Sequence, residues 1–124
     1  MNYYNRAYGI QVANFQMDVL NALMCLAEEN PNGFTVYVPS LKPVKKGWVV
    51  AKIETQNSFG DEGLLKVLKY ATGTTGIVGY WNNEGVFYWD TVMVFESEIE
   101  ATEAGIANEQ IAIYNIENNE LKIL

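Results

Sequence analysis

The sequence has 124 residues, of which 49% are hydrophobic and 19% charged, and a net charge of −7. That balance at that length describes one globular domain able to bury roughly two-thirds of its unfolded surface, and it excludes a disordered chain. It also excludes a membrane helix, since no run of about 18 apolar residues occurs.

Residues 16–29 read as the first helix, because Met17, Leu20, Leu23, Met24 and Ala27 recur at three- and four-residue steps. The residues before it, 1–15, are expected to be a loosely ordered arm or an extra strand of the same single domain, 1–124. Asn30-Pro31 stops the helix, and Asn32-Gly33 turns the chain into an alternating strand at 34–38. An irregular stretch between Pro39 and Gly47 leads to a second strand, 48–54, with Val49, Ala51 and Ile53 on its buried face. Ser58 and Asp61 have capping-box spacing ahead of a second helix, whose stripe is Leu64, Val67, Leu68 and Ala71 and whose left-handed stop is Gly73.

Two strands follow, 76–81 and 86–95, joined by the four-residue hairpin signal Asn82-Asn83-Glu84-Gly85. Ser97 and Glu100 form another capping box, opening a short helix that fades near Gly105. Residues 111–116 are apolar on both faces, which predicts a strand covered on both sides, and 121–124 make a last short strand. The order helix-strand-strand occurs three times. The fold class is therefore α+β, a largely antiparallel sheet with helices on one face.

The charges are unevenly spread. Residues 70–124 set Lys122 alone against nine carboxylates, a net of −8, whereas residues 31–69 carry six lysines and a net of +3. Nucleic acid is held by Lys and Arg that displace counterions, so no nucleic-acid partner is expected. Cys25, the one cysteine, sits in an apolar helical setting where the thiol is expected to be a small buried hydrophobe, and no intrachain disulfide can form. Residues 1–6 lack the basic and apolar regions of a signal peptide, and a reducing cytoplasm fits best.

Chemistry is constrained mainly by a missing residue type. The chain contains no histidine, which removes the commonest general base near neutral pH and the commonest transition-metal ligand. No metal and no cofactor are expected. Gly73-Thr74-Thr75-Gly76 follows a helix and precedes a strand, the reverse of a phosphate-binding loop, so it reads as a cap and turn. Gln56-Asn57-Ser58, at a strand-to-helix turn, reads as local loop chemistry. The acids Glu96, Glu98, Glu100 and Glu103 open the last helix, where they complement its dipole on a solvated face.

Asp90 differs from these, because it lies within Val86-Phe87-Tyr88-Trp89-Asp90-Thr91-Val92. A carboxyl flanked by bulky rings is partly desolvated, which raises its pKa and suits proton transfer or a structural network. Around it gather the aromatics Tyr80, Trp81, Phe87, Tyr88 and Trp89, with Tyr37 and Trp48 on the other strands and Tyr3, Tyr4 and Tyr8 before them. The expectation is an exposed pair on one sheet face, either Tyr80 with Tyr88 or Trp81 with Trp89. Such pairs stack ligands or serve as interface hot spots.

At Gly33-Phe34-Thr35-Val36-Tyr37, Lys45-Lys46-Gly47-Trp48, Gly79-Tyr80-Trp81 and Gln110-Ile111-Ala112-Ile113-Tyr114, the chain resembles small uncharacterised cytoplasmic proteins of gut Bacteroidetes and their phages and mobile elements. The resemblance covers residues 33–116 and implies an accessory protein without assigned activity. It carries no site residue. Three functions follow in order. The first is a non-enzymatic module that binds a protein partner through Tyr80, Trp81, Tyr88, Trp89, Asp90 and Trp48 with an acidic surround. The second is a small-molecule-binding domain or homodimer using the same aromatics. The third is an enzyme with Asp90 as acid/base, assisted by Tyr88, Glu54 or Gln56.

Overall fold

The computed structural model describes residues 7–124, with side chains from Met17 onward. Helix α1, Ala7–Glu29, starts well before the periodic stripe. The stretch from Ala7 is thus helix rather than arm or strand, although Gly9, Ile10 and Val12 have weak helix propensity. Tyr3 and Tyr4 lie outside the described residues, as does the side chain of Tyr8. At the other end, the backbone N–H and side-chain amide of Asn30 both donate to the Leu26 carbonyl and close the helix. Gly33 then turns at φ +116°, where a Cβ would stand 2.5 Å from the Tyr80 carbonyl oxygen, so only glycine fits.

Strands β1 (Phe34–Tyr37), β2 (Trp48–Ala51), β3 (Ser58–Phe59), β4 (Ile77–Asn83), β5 (Val86–Phe95), β6 (Ala112–Asn115) and β7 (Glu120–Ile123) form one antiparallel sheet. Its order is β1-β4-β5-β2-β6-β7, and β3 pairs with β5. β1 and β2 are consecutive in sequence yet separated by two strands. Their connection first folds back along the outer edge of β1, where Val44 N–H donates to the Thr35 carbonyl, before it reaches β2.

β2 and β3 pair with the same side of β5, and a 3-10 helix, Ile53–Thr55, interrupts them. Trp48 and Val50 are the buried positions of β2, whereas Val49 and Ala51 are half-buried, so the expected strand faces are inverted. The expected continuation to residue 54 is replaced by the 3-10 turn. Inside it, the Thr55 hydroxyl accepts from Thr91 N–H at 3.1 Å, standing where a ladder carbonyl would be. Ile53 N–H donates to Asn108 Oδ1 at 3.1 Å, tying the turn to the end of the third helix.

Helix α2, Gly60–Thr72, buries Leu64, Val67, Leu68 and Ala71 as the sequence pattern predicts. Its N-cap is Phe59 and carries no side-chain bond. Ser58 is instead a buried strand residue whose hydroxyl donates to the Thr55 carbonyl at 2.7 Å, because the interrupted strand needs it there. Gly73 keeps right-handed geometry, and the left-handed residue is Gly76, whose N–H donates to the Ala71 carbonyl.

Glu84 and Gly85 both have positive φ and join β4 to β5 in a two-residue turn, tighter than the expected four. Helix α3, Glu98–Ala107, is capped as predicted, with Ser97 Oγ accepting from Glu100 N–H. β6 is fully covered on one side only, since Ile113 and Asn115 are buried whereas Ala112 and Tyr114 on the other face are half-buried. Cys25 is exposed on α1, where the apolar stripe turns other residues inward, so it is not the buried hydrophobe expected.

β5 runs without a bulge, so Trp89, Thr91, Met93 and Phe95 share one face. Two cores lie on that face. The larger packs Leu20, Leu23, Leu64, Val67, Val78, Tyr80 and Trp89 beneath α1 and α2. The smaller packs Trp48, Val50, Ala101 and Ile113 beneath α3. The helices thus cover one face, and the element order loosely keeps the expected threefold pattern, with the 3-10 helix and β3 inserted.

Candidate functional site

Consecutive aromatics in a strand must populate both faces, because successive side chains point in opposite directions. Tyr80-Trp81 and Phe87-Tyr88-Trp89 therefore split into two rows. The hairpin register pairs Tyr80 with Trp89 and Trp81 with Tyr88. A loop with an even number of residues pairs odd positions with even ones. The expected like-with-like pairs, Tyr80 with Tyr88 and Trp81 with Trp89, are thus replaced by the crossed ones.

The row toward the helices is core. Tyr80 and Trp89 are buried with ring centroids 4.4 Å apart, and Phe34 stacks on Tyr80 at 5.3 Å. Trp48 is buried in the second core. These three expected site residues hold the fold and offer no surface. Phe87 extends the row outward, stacking on Tyr80 at 5.5 Å near the hairpin tip.

The row on the far face is the surface. Phe59, Tyr88 and Trp81 stand side by side on β3, β5 and β4. Trp81 stacks on Tyr88 at 5.2 Å, and Phe59 meets Tyr88 edge-on at 6.1 Å and 81°. Trp81 is 45% exposed and Phe59 59%, so the row presents ring area to solvent. Sequence reading missed Phe59. A two-residue strand has no alternation to detect, and its position was absorbed into a helix cap. The remaining signal is its place beside a turn that precedes the hairpin.

Asp90 lies one pleat along from this row. Its Oδ2 accepts from Trp81 Nε1 at 2.9 Å, a diagonal cross-strand bond that fixes the indole. Directly opposite stands Gly79, which contributes no side chain, while Val92 on the same face is buried. Loss of water around the carboxyl pushes its pKa up from 3.8 to about 6, and the bond from Trp81 opposes part of that shift. Among the described residues no cation lies within ion-pair distance of it; the ion pair found there, Lys122 with Glu98 at 2.8 Å, links β7 to α3.

Of the partners expected for acid–base chemistry, Tyr88 is a strand neighbour of Asp90, and among the described residues neither Glu54 nor Gln56 hydrogen-bonds to it. Glu54 lines a shallow hollow of about 380 Å³ with Thr55, Lys66, Lys69 and Tyr70. A second shallow hollow, about 450 Å³, lies between α1 and the turn at Pro39, Ser40 and Leu41. Among the described residues no group of three or more Cys, Asp or Glu side chains is placed to hold a metal ion, and no helix is long and apolar enough to cross a membrane. Comparison with family models, curated proteins and solved structures returns no significant match.

Proposed function

We propose that this chain is a small non-enzymatic interaction module that docks a protein partner on the far face of the β3–β5–β4 strands. The observation that carries the reading is the exposed Phe59–Tyr88–Trp81 row set against the desolvated carboxyl of Asp90. Clustered Trp and Tyr rings supply large contact area with little side-chain entropy to lose, which is why they dominate interface hot spots. A cytoplasmic setting among proteins of gut Bacteroidetes and their mobile elements belongs to the same proposal.

The test is affinity capture from native host lysate at low and high salt, comparing wild type with Trp81→Ala/Tyr88→Ala. Circular dichroism confirms that the variant is folded. A stoichiometric protein held by wild type and released by the variant is the expected result. Equal capture by the folded variant would sink the reading. Self-association is a second reading, favoured by Leu121 and Ile123, which are 62% and 69% exposed on the terminal strand of the sheet. Sedimentation of wild type beside Leu121→Lys/Ile123→Lys decides it.

A further inference from the structure

The interaction surface contains a carboxyl that stability alone does not account for. A charge removed from water and left without a counter-charge costs free energy, so such groups are ordinarily paired or replaced. Asp90 has neither fate. Its Oδ2 is held by a neutral donor, Trp81 Nε1, and no cation among the described residues compensates it. Gly79, across the ladder, brings no side chain and is itself packed under Val92, while Asp90 is half-buried and keeps an outer edge beside Trp81. The faces of Trp81 and the exposed edge of the row stand one pleat away.

Building on the interaction reading above, we infer that Asp90 and the Phe59–Tyr88–Trp81 row recognise an arginine side chain of the docked polypeptide. The carboxylate supplies the counter-charge, and the rings supply π-faces over which a guanidinium lies flat. One carboxylate oxygen is committed to the indole, so the contact is made through Oδ1 alone. Arginine fits better than lysine because a planar, weakly hydrated cation can stack on Trp81 and bond to the carboxylate at once. The wider charge distribution agrees. Residues 70–124 carry a net charge of −8, and their one lysine, Lys122, is bound to Glu98 and Thr102 on the helix-covered side. That charge attracts a cationic segment to the chain at long range. Glu98, Glu100 and Glu103 lie on α3 across the sheet, and the carboxyl beside the row itself is Asp90.

The three indole N–H resonances of Trp48, Trp81 and Trp89 make the test direct. The ¹⁵N-labelled protein at pH 7.5 is titrated with N-acetyl-arginine amide and, separately, with N-acetyl-citrulline amide, its uncharged isostere. The expected result is a saturable shift of the Trp81 indole with arginine, at least about tenfold weaker with citrulline, and similarly weakened in Asp90→Asn. Equal response to both probes overturns arginine recognition while leaving an apolar docking surface intact. So does equal affinity in Asp90→Asn, or no response to either probe. The lysate capture with Trp81→Ala/Tyr88→Ala reports on the docking surface independently, so the two failures are told apart.

Discussion

The two halves of the sheet are built on the same plan and to different depths. Around the first part of β5, two helices and the aromatic row Phe34–Tyr80–Trp89 make a thick core. Around its second part, α3 alone covers Trp48, Val50 and Ile113, with Gly105 packed against Ile113 and Leu124. The far faces differ in kind as well. The first half exposes stacked rings beside a carboxyl, and the second exposes the aliphatic side chains of β7. A thick core lets one half carry a costly desolvated charge, because its folding does not depend on that site. The thin half has no such margin, and what it exposes is the aliphatic side chains of its terminal strand.

The largest test of that contrast is removal of core volume. Trp89→Ala is expected to lose about 3–5 kcal/mol and Ile113→Ala about 2–4 kcal/mol, read from denaturant midpoints. Native-state hydrogen exchange should show the β6–β7 amides opening before those of β4. Equal protection across both halves would remove the distinction.

The next effect is a gain. The folded-state pKa of Asp90 lies above its ordinary value, so the folded protein holds more protons than the unfolded one between about pH 4 and 6. Its contribution to stability is therefore lost as pH rises through that window. Asp90→Asn should raise stability at pH 7 by up to roughly 3 kcal/mol, a bound set by the rise from 3.8 to about 6, and change little below pH 4. A flat difference across pH would mean that the carboxyl is well solvated.

Thr55→Val addresses the seam between the halves. It leaves Thr91 N–H without its acceptor in a buried place, an expected loss of about 1–3 kcal/mol by thermal melting, whereas Thr55→Ser should retain the bond. Smallest is Ser97→Ala, which removes the cap of α3 and should cost about 1 kcal/mol in the thin half.

Much of the fold was legible because its periods are strong. The stripe Leu64, Val67, Leu68, Ala71 is buried as expected, β5 spans 86–95 as expected, and Ser97 caps α3. The rest depended on relations between strands. Which rings share a face follows from loop parity. The expected four-residue loop and the observed two-residue turn are both even, so the crossed face-sharing of Tyr80 with Trp89 and of Trp81 with Tyr88 was already implied by the sequence and was passed over. Ser58 looked like a cap because its spacing to Asp61 is right, yet strand pairing claimed it first. Of the expected surface residues, Trp81, Tyr88 and Asp90 lie together on the far face, while Tyr80, Trp89 and Trp48 went to the cores. Phe59, the third ring, became visible only when β3 was laid beside β5.

The hydroxyl of Thr55 has one more implication. Bonds between strands ordinarily join main-chain atoms, and every amino acid except proline supplies both kinds, so substitution leaves the ladder intact. Here one rung is written in a side chain, and only a residue with an acceptor of the right reach can complete it. Substitutions along β2 and β3 leave the main-chain rungs of the ladder in place, but at position 55 a single nucleotide change can remove one. The join between the two halves is thus hereditary information in a place where sheets usually keep none.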